Sequence, residues 1–202
     1  GDADRCLAVD EQANPVNGDQ MLLAFASARP DAAPKTVVAT VMSNIGLETS
    51  LRHLGYEMRR AAVGDRFVLE EMLQCGATLG GEQSGHIIFL DAATTGDGVL
   101  TAARLAATVK TAGRPLSALT HLPTVPQMLV NVTTHHKDRL DDDAEIAAAI
   151  AEVDQQLAGR GRLLVRPSGT EPMVRVMAEG PDATELELLV ARLVSLIEKN
   201  LG

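Results

Sequence analysis

The chain has 202 residues, with 27 acidic side chains against 18 basic ones, a net charge of −9, and few aromatics: no Trp, one Tyr and three Phe. This length allows one or two domains around a sizeable core, which must be aliphatic. A nucleic-acid partner is set aside because there is no basic patch and no platform for stacking bases, and a membrane span because no apolar stretch is long enough. Cys6 and Cys75 have no CxxC spacing and read as reduced thiols, which together with the acidity suits a cytoplasmic protein.

Residues 6–9 predict a short strand and Asn14-Pro15-Val16-Asn17-Gly18 a turn, after which Asp19 is expected to cap a helix carrying Met21, Leu22, Leu23 and Phe25. Thr36 to Met42 is a β-branched and apolar run, the pattern of a strand buried on both faces. Ile45 to Leu54 reads as a helix closed by Gly55, Tyr56 to Val63 as a strand, and Phe67 to Leu73 as a helix ending near Gly76. Thr78–Gly81 and His86–Leu90 predict two strands around a glycine-rich loop, and Asp97 to Thr111 a helix with Gly113 past its end. Arg114 to Pro126, with Pro115, Pro123 and Pro126, has the composition of a connector.

A second unit follows. Gln127 to Thr133 alternates Met128, Val130 and Val132 with polar residues, as a half-buried strand does. Asp143 is placed to cap a helix with Ile146, Ile150, Val153 and Leu157 on one stripe, ending at Gly159, and the run Asp141-Asp142-Asp143 complements that helix's dipole. Two strands and a final helix (Leu186, Leu189, Val190, Leu193, Leu196, Ile197) complete the chain. The expected fold is therefore a mixed, mainly parallel α/β domain followed by a small α+β domain of order β-α-β-β-α. The expected divisions are 1–16 as the remnant of a preceding domain, 17–114, a linker at 115–126, and 127–202.

Three loops carry chemistry. Arg166-Pro167-Ser168-Gly169-Thr170-Glu171-Pro172 lies between two strand-like runs. A guanidinium offers a planar fork to an anion, Ser and Thr donate O–H, and Gly lets a backbone N–H approach; the prolines stiffen the edges. Arg175 shares a face with Met173 and Met177, so a second guanidinium can reach the same anion. The plainer alternative is a polar hairpin with a surface Arg. In Gly80-Gly81-Glu82-Gln83-Ser84-Gly85-His86 the glycines allow Glu82, Ser84 and His86 to converge, and a carboxylate beside a hydroxyl can grip two sugar hydroxyls; a plain β-turn reads equally well. Asp2 and Asp4 alternate in an expected extended segment, so both carboxylates face one way, as hard oxygen ligands for Mg²⁺ or as solvated charge. His53, His121, His135 and His136 lack partners at ligand spacing.

Taken together, GDADR, GGEQSGH and RPSGTEP, in that order and supported by VMSNIGL, VGDR and TGDG, resemble the α-D-phosphohexomutases, most nearly their bacterial glucosamine-phosphate branch. The resemblance covers essentially the whole chain and implies the last two domains of a four-domain isomerase, with a tail of the second. It implies interconversion of glucosamine 6-phosphate and glucosamine 1-phosphate through a phosphoserine and a bisphosphate. On the matching positions it implies Asp2 and Asp4 as Mg²⁺ ligands, and Glu82, Ser84 and His86 at the sugar. Arg166, Ser168, Gly169, Thr170 and Arg175 would bind the phosphate that is not reacting, with Arg5 and His86 assisting.

This sequence departs from the family pattern in three ways: the Asp before Gly1, the T-A-S-H-N-P serine loop and its basic neighbours are absent from the 202 residues. The metal site is accordingly expected to be incomplete and the chain inactive by itself. The resemblance also allows a homodimer of the full-length protein. Asp65, where neutral-hexose mutases tend to carry His, can face a substrate ammonium; pairing with Arg66 or capping the next helix are the alternatives. A phosphomannomutase or phosphoglucomutase, or a non-catalytic sugar-phosphate-binding module, are the other readings.

Overall fold

A computed structural model describes residues 1–202, which divide into two units, Gly1–Thr124 and Val125–Gly202. The first opens with a small antiparallel pair, β1 (Ala8–Val9) and β2 (Pro15–Val16). The turn between them lies over Asp10–Asn14, earlier than the predicted Asn14–Gly18, because the Asp10 carboxylate accepts the N–H groups of Gln12 (2.9 Å) and Asn14 (2.8 Å). Helix α1 (Gly18–Ser27) is capped by Asn17 rather than Asp19: Asn17 accepts from the Gln20 N–H, and the Gln20 side chain accepts from the Asn17 N–H. Asp19 is instead fully buried, and its carboxylate accepts the Asn44 N–H at 2.9 Å.

Next come β3 (Thr36–Thr40), α2 (Ile45–His53), β4 (Glu57–Ala61), α3 (Asp65–Cys75), β5 (Leu79–Gly81), β6 (Ile87–Phe89), α4 (Gly98–Ala112) and α5 (Leu116–Leu119). The sheet order is β4-β3-β5-β6, with β3 parallel to β4 and β5, and β6 antiparallel to β5. All five residues of β3 are buried, as its apolar run requires. Alternation sends Val37 and Ala39 into one core with α1 and α2, and Val38 into another with Val68, Met72 and Ile88. Each of these valines contributes about 1.5–3 kcal/mol on burial. Gly76 and Gly113 end α3 and α4 in left-handed conformation.

Residues 115–126 do not behave as an open connector. Pro115 starts α5, and Leu122, 8% exposed, belongs to the first unit's core. In an X-Pro-rich stretch the composition shows stiffness but not whether intervening apolar side chains find a core.

The second unit contains β7 (Gln127–Thr133), α6 (Ala144–Leu157), β8 (Arg162–Pro167), β9 (Met173–Glu179) and α7 (Ala183–Leu201), in the expected β-α-β-β-α order. The sheet is antiparallel with β9 central, in the order β7-β9-β8. Asp143 and Asp182 cap the two helices. Val174, Val176 and Ala178 face the helices in one core with Ile146, Val153, Leu189 and Leu193. By the strand's two-residue period, Met173, Arg175 and Met177 lie on the other face.

Candidate functional site

The glycine-rich sequence of the first unit is the tight connection between β5 and β6. Glu82 N–H donates to the His86 carbonyl (2.9 Å) and Gly85 N–H to the Glu82 carbonyl (3.0 Å). The hairpin is wedged from below by α1: the Gly18 N–H donates to the Gln83 carbonyl at 2.9 Å, and a Cβ on Gly18 would lie 1.9 Å from the Glu82 carbonyl oxygen. Gln83 also reaches the Asp19 carboxylate at 3.5 Å. Glu82 accepts the Gly64 N–H at 3.0 Å, which joins the Val63–Arg66 loop to the hairpin, and Ser84 stands exposed at the tip. The carboxylate is held, while its second oxygen and the Ser84 hydroxyl remain available for hydroxyl partners.

His86 lies buried, unlike the exposed Ser84. It is 3% exposed, its ring lies under Gly96, where a Cβ would come 2.3 Å from Nε2, and its buried Nδ1 has no protein partner. The backbone of His86 forms a bridge with Arg5, and the Cys6 N–H donates to the Gly85 carbonyl at 3.0 Å, so the N-terminal segment is seated along the hairpin. That segment is not extended: Ala3 has φ of 58°, a left-handed conformation costing roughly 1–3 kcal/mol for a residue with a Cβ. Its carbonyl accepts the Gly98 N–H (2.8 Å) at the start of α4, whose cap is Asp97. Strand alternation therefore does not align Asp2 and Asp4, because this hydrogen bond bends the chain between them. Asp4 lies 3.8 Å from the Arg5 guanidinium, and no group of three or more His, Cys, Asp or Glu side chains placed to hold a metal forms anywhere.

Asp65 makes no ion pair with the Arg66 guanidinium and is not the cap residue of α3. Gly64, not Asp65, occupies the cap of α3, and the Arg66 guanidinium pairs with Glu70 at 2.7 Å. The exposed Asp65 carboxylate accepts only the Arg66 backbone N–H, at 2.7 Å. The four histidines without ligand spacing (His53, His121, His135, His136) are all exposed, and both cysteines are free.

In the second unit, Arg166 and Arg175 face each other across β8 and β9. Like charges directly opposite destabilise a sheet. Burial, and then the neighbouring Arg175, holds the Arg166 pKa below its ordinary value. Glu171 pairs with Arg175 at 2.7 Å, yet the buried Nε atoms of both arginines have no protein acceptor. Ser168, 3% exposed, accepts the Glu171 N–H at 3.3 Å and keeps its own hydroxyl proton to donate. Gly169 and Thr170 stand exposed in the loop. Opposed cations, unmet donors and a hydroxyl gather at this loop, and such a donor set is chemically suited to an anion.

The sequence reading missed Gly64, Gly18, Asp19 and Lys137. Asp19 and Lys137 bond to backbone across the fold, Gly64 donates its N–H to the distant Glu82 carboxylate, and Gly18 makes a close backbone approach, none of which a local pattern records. Only the pairing of Gly18 with Asp19 ahead of an apolar helix offered a signal, and it read as an ordinary cap.

A family model described as phosphoglucomutase/phosphomannomutase, alpha/beta/alpha domain III matches residues 17–125, and one described as phosphoglucomutase/phosphomannomutase, C-terminal domain matches residues 129–196. The phosphoglucosamine mutase of Brevibacillus brevis is 50% identical over 205 residues, which cover 100% of this chain and 46% of the relative. That of Moorella thermoacetica is 51% identical over 197 residues, 96% of this chain and 44% of the relative. The chain thus spans about half the length of the curated relatives it matches. Among solved structures, the N-acetylphosphoglucosamine mutase of Aspergillus fumigatus in complex with GlcNAc-6P and magnesium has a TM-score of 0.80 at 21% identity, over 98% of this chain and 50% of that one. A phosphoglucomutase/phosphomannomutase family protein from Burkholderia thailandensis has 0.77 at 24%, over 100% and 46%. At these identities the structural likeness is one of fold.

Proposed function

The chain belongs to the phosphoglucomutase/phosphomannomutase family, and on that premise we propose that it supplies the sugar-gripping and phosphate-anchoring parts of a mutase that interconverts glucosamine 6-phosphate and glucosamine 1-phosphate. The observation that carries this reading is the pair of opposed arginines, Arg166 and Arg175, with buried Nε donors unmet beneath the Ser168–Thr170 loop. Two guanidinium groups, the Ser168 and Thr170 hydroxyls and the Gly169 amide match the oxygens of a phosphate monoester. Bound there, the non-reacting phosphate gives binding energy far from the reacting centre and orients the sugar. Glu82, already fixed by Gly64, and Ser84 take sugar hydroxyls. His86 and Arg5, which pair through their backbones, are kept as assisting residues. No serine loop of the T-A-S-H-N-P type occurs in the 202 residues, so the P–O bond exchange is assigned to no residue of this chain.

Asp2 and Asp4 are proposed as two oxygen donors to Mg²⁺, an ion that prefers about six and keeps several waters. When bound, the ion neutralises charge on a transferring phosphoryl group. No group of three or more His, Cys, Asp or Glu is placed to hold a metal, so Asp2 and Asp4 would be at most part of a donor set.

The choice of an amino sugar is supported by the likeness to phosphoglucosamine mutases and by Asp65, whose carboxylate engages no cation. An exposed charge pair is worth about 0.2–1 kcal/mol, and more once ligand covers it. Calorimetric titration of the 202-residue chain provides the test. Asp65→Asn is expected to weaken glucosamine 6-phosphate by about five-fold and leave glucose 6-phosphate unchanged. Equal losses would remove the ammonium contact and favour a neutral hexose phosphate, as in phosphomannomutase or phosphoglucomutase.

A further inference from the structure

We infer that Lys137 is a positioning residue for the phosphate loop, holding the Gly169 amide toward the anion; this rests on the reading above that the loop takes a phosphate. Lys137 lies in a short turn after β7, and its ammonium donates to the carbonyl oxygens of Ser168 (2.5 Å) and Glu171 (2.9 Å). The two carbonyls stand at the two ends of the loop. The turn itself is anchored: the Thr134 N–H donates to the Pro172 carbonyl at 2.9 Å, its hydroxyl donates to the Leu201 carbonyl, and the His136 N–H donates to that hydroxyl oxygen at 3.0 Å.

The Ser168 carbonyl and the Gly169 N–H belong to one planar peptide and point in opposite directions. A lysine that draws the carbonyl to one side therefore turns the amide to the other. The N–H groups of Gly169 and Thr170 donate to no protein acceptor. Packing cannot fix this peptide, since a Cβ on Gly169 would meet nothing within 4 Å. Glu171 directs its carboxylate to Arg175, so the lysine is bound to carbonyls and is not that carboxylate's counter-ion. Arg166, Arg175 and Lys137 against Glu171 leave a net positive nest, suited to a phosphate monoester dianion.

The test uses the full 202-residue chain, titrated with glucosamine 6-phosphate and with inorganic phosphate, and followed by calorimetry and backbone-amide NMR. Lys137→Met is expected to weaken both ligands about ten-fold and to abolish the ligand-induced shift of the Gly169 amide, with Lys137→Arg restoring most of both. Parent affinity and a parent Gly169 shift in Lys137→Met, while Arg166→Gln no longer binds, would overturn the inference and leave the phosphate reading standing. Weakened binding with the Gly169 shift intact would also overturn it, because the lysine would then act through charge alone. If the parent chain binds neither ligand, the phosphate reading itself fails and the inference goes with it.

Discussion

The two loops hold their functional groups by opposite means. The Glu82 hairpin is locked by close contact: Gly18, Gly85 and Gly96 each sit where a Cβ would come within 2.3 Å of backbone or of the His86 ring. Its carboxylate already has a donor in Gly64. The Arg166 loop has open space around Gly169, opposed cations and unmet donors. The hairpin is thus held by contacts of its own, whereas the arginine loop carries the electrostatic cost of two opposed cations, which an anion would lower. A ligand of either loop would stabilise the folded chain according to its concentration over its dissociation constant, by about 2.7 kcal/mol at a hundred-fold ratio; the loops differ in what the free chain bears beforehand.

Substituting glycine in each loop tests this contrast most sharply. Gly18→Ala places a Cβ 1.9 Å from the Glu82 carbonyl oxygen and 2.9 Å from its carbon, both backbone atoms that cannot swing aside. A loss of roughly 3 kcal/mol is expected in urea unfolding, whereas Gly169→Ala should stay within about 0.5 kcal/mol. Equal costs would break the comparison.

Arg166→Gln should weaken phosphate binding by at least about ten-fold, as loss of a charged hydrogen bond does. It should leave the unliganded chain as stable as before, or more stable by up to about 1 kcal/mol, because a like-charge pair disappears. Calorimetry and thermal melting read the two effects separately. A destabilised free chain with unchanged phosphate affinity would mean that the arginines serve the fold and not an anion.

A smaller effect concerns the helix caps that steady the second unit. Asp143→Ala should lower the urea midpoint, by less than Gly18→Ala does, as loss of a cap acceptor does. The Ile146 N–H foremost, with Asn200, the Glu145 N–H and Arg139, holds the Asp143 carboxyl below its usual pKa. A depressed carboxyl contributes stability above its unfolded pKa, near 3.9, and that contribution is lost as pH falls through the lower folded value. Asp143→Asn, which keeps a cap acceptor but cannot titrate, should therefore flatten the fall of the urea midpoint below about pH 4. An unchanged acid limb would remove Asp143 from that account.

Much of this architecture could be read from the chain. The run Thr36–Met42 gave the doubly buried strand because a continuous apolar stretch cannot face water on either side. The alternation of Met128, Val130 and Val132 gave β7, and Asp143 gave the start of α6. Arg166 and Arg175 were both recognisable, yet their being directly opposite depends on the register of β8 and β9, which the loop length between them sets. The errors share one cause. Asp19 and Ala3 each make a bond to a distant segment (Asn44 and Gly98), and that bond outweighs the local preference.

The order of residues alone determined the two units with their strands and helices, the cap of α6, and three polar loops of a composition suited to sugar and phosphate, because periodicity and hydrogen-bonding chemistry are properties of neighbours along the chain. Tertiary structure decided which of those groups are already satisfied and which are not: Glu82 tied to Gly64, His86 buried under Gly96, Arg166 opposed to Arg175, Lys137 clamping the loop. Satisfaction of a polar group is settled by whatever lies within about 3 Å of it, and in a folded chain that neighbour is often dozens of residues away in sequence.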